Sequence, residues 1–329
     1  MFCLPSIKSR LPLLALLLLT AATAVQAQDY PTRPIKIVVP FAPGGGTDFL
    51  ARLIGQKLAD GLGQSVLVDN RPGGSTIIGA QIVAKAAPDG YTLLSSNGTT
   101  FSINQTLNKK LPYDPIKDFV PIALTGRFVM LLVVASGFPA QTTAELIAQA
   151  KAKPGQIPFA SPGQASAHHL AMAQFMQQAG IDMVHVPFKG AGPAMQELLA
   201  GRVPVMFLDY STAQEMLRAG RLRAIATATS ERFAPLPAVP TLREAGFDIA
   251  DTAAWQGLAA PAGTPPAIIR RLNAEVVRAL AEPATRQRLL DAGIDPISGP
   301  SEQFAAYIRS EVGRWAGVID KAGIKVEDQ

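Results

Sequence analysis

The most informative segment of the chain reads Val39-Pro40-Phe41-Ala42-Pro43-Gly44-Gly45-Gly46-Thr47-Asp48. Residues 34–39 predict a strand before it, and apolar residues at helical spacing between positions 50 and 58 predict a helix after it. Consecutive glycines let the backbone approach a ligand closely, and a helix start presents unpaired N–H groups at the positive end of the helix dipole. The segment therefore predicts either an anion-binding loop or a plain tight turn, with Thr47 and Asp48 as caps of the helix.

Two kinds of nucleotide-binding loop occupy the same position between a strand and a helix, and neither fits. A phosphate loop ends in Gly-Lys followed by Ser or Thr, and this ending is absent. The dinucleotide fingerprint also fails, because the GxGxxG spacing and the acidic residue at the expected distance are missing. We call residues 41–48 the first loop; its candidate ligand contacts are Phe41, Ala42, Gly44, Gly45, Gly46, Thr47 and Asp48.

Strands and helices continue to alternate toward the C-terminus. The signals include the capping box Thr142-x-x-Glu145 and helix starts at Thr264-Pro265 and Ser301. Further helices are predicted at 77–87 and 168–179, a polar loop at 95–98, and strands at 65–69, 91–94, 130–135, 183–188, 203–208 and 222–227. This alternation is typical of βαβ units, so we expect an α/β fold with mostly parallel sheets flanked by helices.

The length of 329 residues favours two domains over one. No Gly/Ser-rich linker divides the sequence, so the chain is expected to cross between two lobes in extended segments at 125–128 and 250–254. Lobe 1 then comprises residues 28–126 plus 252–329, and lobe 2 comprises residues 127–251. A ligand cleft is expected between the lobes.

Residues 1–27 have the pattern of a secretory signal peptide. Lys8 and Arg10 are followed by an apolar run at 11–24, and Val25-Gln26-Ala27 fits the small-x-small cleavage rule. The run is shorter than the roughly 20 residues that a membrane span requires. Cleavage after Ala27 removes Cys3, the only cysteine, so the mature chain has no disulfide and no cysteine metal ligand. These features predict a secreted protein.

The charge distribution argues against a nucleic-acid partner. The formal net charge is +5, and the basic residues are scattered rather than clustered or interleaved with aromatic residues. A mildly positive balance is compatible with an anionic ligand.

A second loop of similar design spans residues 161–169 and enters the helix predicted at 168–179. The hydroxyls of Ser161 and Ser166 can donate to a carboxylate. His168 and His169 point in different directions on a helix and no metal motif accompanies them, so we expect one to donate in the pocket and the other to pack or face solvent. No GxSxG elbow surrounds either serine, which argues against a nucleophilic triad. The candidate contacts of the second loop are Ser161, Gly163, Ala165, Ser166 and His169.

Three more polar residues are candidate ligand contacts. Lys189 lies in a third loop, residues 186–193, where it either contacts an anion or is solvated. Asn97 lies in the polar loop after the strand at 91–94. Asp209 follows the strand at 203–208 and either receives an amine or hydroxyl of the ligand or caps a helix through Ser211 and Thr212.

A set of motifs covers nearly all of the mature chain. It comprises residues 39–48 followed by Ala51-Arg52, Val68-Asp-Asn-Arg-Pro-Gly-Gly74, Pro88-Asp-Gly-Tyr-Thr-Leu93, Leu111-Pro-Tyr-Asp114, Val186-Pro-Phe-Lys-Gly190, Pro240-Thr-Leu-Arg-Glu-Ala-Gly246 and Trp255-Gln-Gly-Leu-Ala-Ala-Pro-Ala-Gly-Thr-Pro265. Together these motifs resemble the Bug family, the periplasmic receptors of tripartite tricarboxylate transporters.

The resemblance implies a two-lobed, type II-like periplasmic binding protein. In it, the first and second loops face each other and grip one carboxylate, partly through waters. Ala165 stands where glycine is frequent in the family, which implies a narrower pocket and leaves the ligand open among amino acids, dicarboxylates and other organic acids.

The expected protein is therefore a monomeric periplasmic solute-binding protein with membrane permease subunits as partners. We expect no catalytic residue, cofactor or metal ion. One alternative is a protein that presents its ligand to a signalling sensor. The other is an exported hydrolase, which would require a nucleophile–base set that the sequence does not show.

Overall fold

The computed structural model describes residues 30–249 and 254–322. The predicted signal peptide, residues 1–27 with Cys3, lies outside these ranges, as do residues 250–253 of the second predicted crossing. Within the described ranges, no helix is both long and apolar enough to cross a membrane.

Strands and helices alternate through the described residues. The strands are β1 Ile35–Val39, β2 Val66–Asn70, β3 Thr92–Asn97, β4 Phe119–Phe128, β5 Met130–Ala135, β6 Pro158–Ser161, β7 Val184–Pro187, β8 Val205–Asp209, β9 Leu222–Thr227, β10 Trp255–Pro261 and β11 Ile294–Asp295. The helices are α1 Gly46–Leu62, α2 Ile77–Ala84, α3 Asn104–Leu107, α4 Thr143–Ala152, α5 Ala167–Ala179, α6 Ala191–Leu199, α7 Tyr210–Arg218, α8 Pro266–Ala281, α9 Pro283–Asp291 and α10 Ser301–Ala322. A π-helical turn, Thr99–Ile103, leads into α3.

The strands form two separate sheets. In the described part of the chain, the first sheet has six strands in the order β11-β4-β10-β3-β1-β2, and the second has five in the order β7-β6-β8-β5-β9. β1 pairs in parallel with β2 and β3, and β6 pairs in parallel with β7 and β8. Each sheet has its own hydrophobic cluster, which confirms the two-lobed α/β fold.

The finer expectation of mostly parallel sheets is wrong, because both sheets are mixed. β10 pairs antiparallel with β3 and β4, β11 with β4, and β5 with β8 and β9. The sequence does not indicate the long strands β4 and β10, because Pro121, Gly126 and Gly257 are residue types that strands usually avoid. The ladder accommodates them with register shifts, one of them between Leu258 and Ala259 of β10.

One predicted loop and one predicted extended crossing belong to strands of the first sheet. Residues 95–97 of the expected polar loop belong to β3, where Ser95 and Ser96 are buried and pair with β10. The crossing expected at 125–128 is the end of β4, which continues through Val129 into β5 of the second sheet. Both segments are strands because they pair with β10, which lies far away in the sequence.

The two lobes have different cores. In the first, the Trp255 ring stacks on Phe101 with 6.0 Å between centroids and meets Phe304 edge-on at 5.8 Å. The Trp255 indole donates to the buried carboxylate of Glu311 on α10 at 2.8 Å. The second core is mainly aliphatic and fixes β5 and β8 against α6; its members include Leu131, Val133, Met195, Met206 and Leu208. These cores hold the strand ends that lead into the site.

The cap predicted at Thr142 of α4 is present, with the reciprocal bond of the capping box shifted to the preceding residue. The Glu145 N–H donates to Thr142 Oγ1 at 3.2 Å, and the Glu145 carboxylate accepts from the Gln141 N–H at 2.6 Å. This side-chain cap makes Thr142 a useful reference for the helices that begin at the cleft.

Candidate functional site

Loops that follow strands of both sheets meet in a cleft. Its lining residues come from both sides and are Phe41, Ala42, Gly45, Gly46, Thr47, Asn97, Pro162, Ser166, His168, Ala191 and Asp209. The cleft encloses about 20 Å³, which is roughly the room of one water molecule. The two walls therefore lie close together in this structure.

The first loop turns sharply from β1 into α1. Gly44 has a φ of 90°, in the left-handed region that favours glycine, and Gly45 is the N-cap residue of the helix. No side chain caps α1, so the predicted capping roles of Thr47 and Asp48 are wrong; the helix begins at Gly46 and both residues lie in its first turn. The N–H groups of that turn therefore face the cleft without a side-chain cap.

Asp48 is not among the described residues that line the cleft. It stabilises the first loop through hydrogen bonds. Its carboxylate accepts from the Gly44 N–H at 3.1 Å, Arg52 Nε at 3.0 Å and Asn70 Nδ2 at 2.9 Å. Burial alone would raise the pKa of Asp48, but hydrogen bonds from Arg52, Asn70 and Gly44 outweigh it and hold this pKa below its usual range. Asn70 also donates to the Phe41 carbonyl at 3.0 Å. The Asp48–Asn70 pair thus fixes the backbone that lines the cleft.

Two amides stand beside the first loop. Gln256 Nε2 donates to the Thr47 carbonyl at 3.0 Å and to Ser95 Oγ at 2.6 Å, so β10 also holds the loop. Asn97 lines the cleft, and its Oδ1 accepts from the Thr99 N–H at 3.0 Å. Its NH₂ group is then the one that can donate to a ligand. Sequence reasoning found Asn97 but not Gln256, whose position depends on the unexpected pairing of β10.

The second loop presents Ser166 to the cleft. Ser166 is the N-cap residue of α5, and its Oγ accepts from the His169 N–H at 3.2 Å. A hydroxyl that accepts a capping bond still has its own hydrogen to donate. The preceding residue, Ala165, has a φ of 59°, which side chains rarely adopt and which glycine adopts without strain.

His169 lies behind the second loop. The Ala165 N–H donates to His169 Nδ1 at 3.0 Å, and the His169 ring stacks on His185 with 3.8 Å between centroids. Burial lowers the pKa of His169 to about 4, and burial together with the adjacent His169 ring lowers the pKa of His185 to about 3. Both rings are neutral at neutral pH. His169 is thus the histidine that packs, and His168 is the one at the cleft.

Ser161 and Gly163 also lie away from the cleft lining. Ser161 Oγ donates to the Gly163 carbonyl at 2.8 Å and lies 2.7 Å from His185 Nε2. With its own hydrogen used, Ser161 accepts from Nε2, and the contact ties the loop to β7. Ser161, Gly163, Ala165 and His169 are therefore supports of the loop, and Ser166 is its contact with the cleft.

A buried pair from two distant segments completes the cleft wall. His168 Nε2 lies 2.9 Å from Asp209 Oδ1, and both side chains are almost fully buried. Asp209 is the N-cap residue of α7 but makes no side-chain capping bond, so the alternative of a cap through Ser211 and Thr212 is not realised. Sequence reasoning found Asp209 and not its partner, because no local pattern links residues 41 positions apart.

The third loop contacts the first loop through its backbone. The Lys189 carbonyl accepts from the Ala42 N–H at 3.0 Å, while the Lys189 side chain is exposed and absent from the described cleft lining. A Cβ on Gly192 would lie 2.6 Å from the Pro43 carbonyl oxygen, and one on Gly190 would lie 3.1 Å from the Ala42 nitrogen. The third loop therefore joins the two walls and brings no charge to the site.

In the described ranges, no group of three or more His, Cys, Asp or Glu residues is arranged to hold a metal ion. The site instead offers uncharged donors, namely backbone N–H groups, a hydroxyl and an amide, with one acid–histidine pair. Such a set binds and orients an anionic small molecule.

Two α/β lobes around a cleft that is lined in this way define a periplasmic solute-binding protein. The chain belongs to the tripartite tricarboxylate transporter receptor family, whose model, described as "Tripartite tricarboxylate transporter family receptor", matches residues 50–324. This is a family of solute-binding receptors and not of enzymes. The resemblance to Bug proteins is confirmed.

Known relatives match over most of the chain. BugT of Bordetella pertussis is 38% identical over 307 residues, which cover 93% of this chain and 94% of BugT. The R. palustris protein Rpa4515, solved with adipate, is 35% identical with a TM-score of 0.87, covering 90% of this chain and 99% of that one. MatC from Rhodopseudomonas palustris, solved with bound malate, is 37% identical with a TM-score of 0.84, covering 88% of this chain and 100% of that one.

Proposed function

We propose that the protein captures a small carboxylate in the periplasm and delivers it to the membrane permease subunits of a tripartite tricarboxylate transporter. One observation carries the proposal. The uncapped N-terminus of α1 and the Ser166 hydroxyl at the N-terminus of α5 line the same cleft from opposite walls. Both present hydrogen-bond donors at the positive end of a helix, where a carboxylate is stabilised.

The energetics favour two loops over one. A helix N-terminus stabilises a partly buried anion by up to about 2 kcal/mol, and a hydrogen bond to a charged group contributes about 1.5–3 kcal/mol. Micromolar affinity requires about 8 kcal/mol. Donors from both walls, closed around one carboxylate, reach this value. Closure and binding are therefore coupled.

The direct contacts that we assign are the residues of the expected set that line the cleft: Phe41, Ala42, Gly45, Gly46, Thr47, Asn97, Ser166 and Asp209. Asp48, Ser161, Gly163, Ala165 and His169 position the two loops from behind. Gly44 provides the turn, and Lys189 acts through its carbonyl. The ligands of Rpa4515 and MatC, adipate and malate, support a carboxylate as the bound group.

The same proposal includes the cellular setting. The basic, apolar and small-residue segments of positions 1–27 support a cleaved signal peptide and a periplasmic location, and the mature protein is proposed to act as a monomer. Division of the strands between two sheets supports the two proposed lobes, 28–126 plus 252–329 and 127–251, with the first boundary moved to Val129, because β4 of the first sheet extends to Phe128.

Calorimetric titration of the mature protein with adipate and malate, each beside its neutral diamide, tests the proposed function. The acids should bind about tenfold tighter or more, because the diamides cannot use the anion-stabilising helix N-termini. Equal affinity for acid and amide would contradict it.

Ser166→Ala should weaken binding by about 1–3 kcal/mol. Because Ser166 also caps α5, the substitution should lower the free energy of unfolding by about 1 kcal/mol. Thr142→Ala removes the equivalent cap of α4 and is the matched control. It should destabilise the protein by a similar amount and leave ligand affinity unchanged.

A further inference from the structure

The cleft contains a buried acid–histidine pair that plays no part in supporting the first or second loop. Asp209 is 4% exposed and His168 is 5% exposed, and their side chains meet at 2.9 Å between Oδ1 and Nε2. Both residues line the cleft beside Ser166 and the N-terminus of α1. A buried pair in this position faces whatever the cleft closes around.

The pair leaves acceptor atoms without partners. In the tautomer that carries its hydrogen on Nε2, His168 donates to Asp209 Oδ1, and its Nδ1 is an acceptor. Nδ1 is buried and has no hydrogen-bond partner among the described residues, and the same holds for the nearby Ser211 Oγ. Buried polar atoms in native proteins are almost always paired, and His168 lines the cleft, so its Nδ1 is an acceptor that a ligand group can use.

The second carboxylate oxygen of Asp209 faces the opposite wall. A Cβ on Gly46 would lie 3.2 Å from Asp209 Oδ2 and 2.7 Å from Ser211 Oγ. Oδ2 therefore lies next to the N-terminus of α1, where the ligand carboxylate is expected. A substituent close to that carboxylate comes within reach of Oδ2.

The charges in the cleft determine which substituent fits. His168 and Asp209 are the ionisable side chains among the described lining residues, which include no lysine or arginine. A second carboxylate beside Asp209 would meet a like charge in a poorly solvated place, whereas a hydroxyl or ammonium group would meet acceptors.

Building on the proposed function, we infer that the ligand is a carboxylate bearing a hydrogen-bond donor, a hydroxyl or an ammonium group, next to that carboxylate, and that Asp209 recognises this donor. His168 is a positioning residue: it holds Oδ1 and leaves Oδ2 for the ligand. A hydrolytic role for the pair lacks a nucleophile, because no serine oxygen is hydrogen-bonded to His168 in the described residues.

Calorimetry with two matched series tests this inference: succinate, malate and aspartate, and adipate, 2-hydroxyadipate and 2-aminoadipate. Within a series, the acids differ only in hydrogen, hydroxyl or ammonium at one carbon. The donor-bearing acids should bind about tenfold to a hundredfold tighter than the donor-free acid. The relative affinities of the hydroxyl and ammonium members identify which donor is used.

Asp209→Asn should reduce the preference within a series to about threefold or less, since an amide can turn its NH₂ toward the ligand. Asp182→Asn removes an equal charge from an exposed position in the same half of the chain and should leave the preference intact. His168→Gln is the second variant, and it should reduce the preference without abolishing binding of the donor-free acid.

Donor-free acids that bind as tightly as their donor-bearing partners would overturn the inference. An unchanged preference in folded Asp209→Asn and His168→Gln would do the same. Either result leaves the proposed function standing, because the comparison of acid with diamide tests it separately.

Discussion

The second and third loops share one arrangement of strand, turn and helix, and they differ in what they do. Both lead from a strand of the second sheet through a glycine-containing turn into a helix. The second loop presents the Ser166 hydroxyl to the cleft. The third loop presents its backbone to the first loop, with the Lys189 carbonyl accepting from the Ala42 N–H at 3.0 Å. The distance of each loop from the opposite wall decides its role, and a motif does not encode that distance.

The largest expected effect is a loss of ligand affinity when a Cβ is added to Gly192 of the third loop. Gly163 of the second loop, which has more room for a Cβ, is the comparison. A Cβ on Gly192 of the third loop would lie 2.6 Å from the Pro43 carbonyl oxygen, whereas one on Gly163 of the second loop would lie 3.6 Å from the Phe188 carbonyl oxygen. Gly192→Ala should therefore keep the walls apart and weaken ligand binding by about 3 kcal/mol, roughly a hundredfold, in calorimetry.

Gly163→Ala is the matched control and should bind as the unmodified protein does. The unfolding transition of Gly192→Ala should not fall, because alanine favours helix α6 over glycine by about 1 kcal/mol. Equal affinities of the two variants would show that the third loop does not join the walls in the bound state.

A smaller effect is the loss of folding stability at low pH that we expect from His169 and His185, the stacked histidines behind the second loop. The pKa values of His169 and His185 are lowered to about 4 and about 3, from 6.5 in an unfolded chain. The unfolded chain therefore takes up protons first, so stability is complete above about pH 6.5 and is lost as the pH falls toward 3. At about 1.4 kcal/mol per pKa unit, the two shifts set an upper limit of about 8 kcal/mol, and solvent screening reduces the expected loss to a few kcal/mol.

Chemical denaturation across this pH range, with His185→Phe as the comparison, measures the effect. Phenylalanine keeps the stacked ring and removes one titrating group, so the stability of the variant should fall less steeply. Parallel curves for the two proteins would contradict the assignment of neutral histidines to the loop support.

Local patterns made much of the site predictable. The first loop and Ser166 follow from a strand, a glycine- or serine-bearing turn and a helix within a dozen residues, and such signals are contained in the sequence. Gln256, Asn70 and the His168–Asp209 pair depend on contacts between distant segments. The sequence alone does not distinguish His168, which lines the cleft, from His169, because the direction of each ring depends on the start of α5 and on the neighbour His185.

The fold also contains elements that local sequence patterns predict and elements that depend on contacts between distant segments. The strands near the first loop were predicted within one or two residues, because apolar runs between glycine turns identify buried parallel strands. β4 and β10 were missed because their proline and glycine residues are tolerated only through irregular pairing with each other.

The smallest expected effect concerns Ala165, which adopts a φ of 59° in the second loop. Ala165→Gly should raise the free energy of unfolding by up to about 1 kcal/mol, since relief of the left-handed strain exceeds the added entropy of the unfolded chain. Ala148→Gly, at an exposed position inside α4, should instead lower it by about 1 kcal/mol. Denaturant titration measures both, and a destabilised Ala165→Gly would mean that the loop conformation is not strained.

A crystal structure of the protein with a bound carboxylate tests the central claim most directly. The account predicts that the oxygens of one carboxylate lie about 2.7–3.2 Å from a first-turn N–H of α1 and from Ser166 Oγ, either directly or through one water. A carboxylate held by only one of the two loops, or by the Lys189 ammonium group, would contradict it.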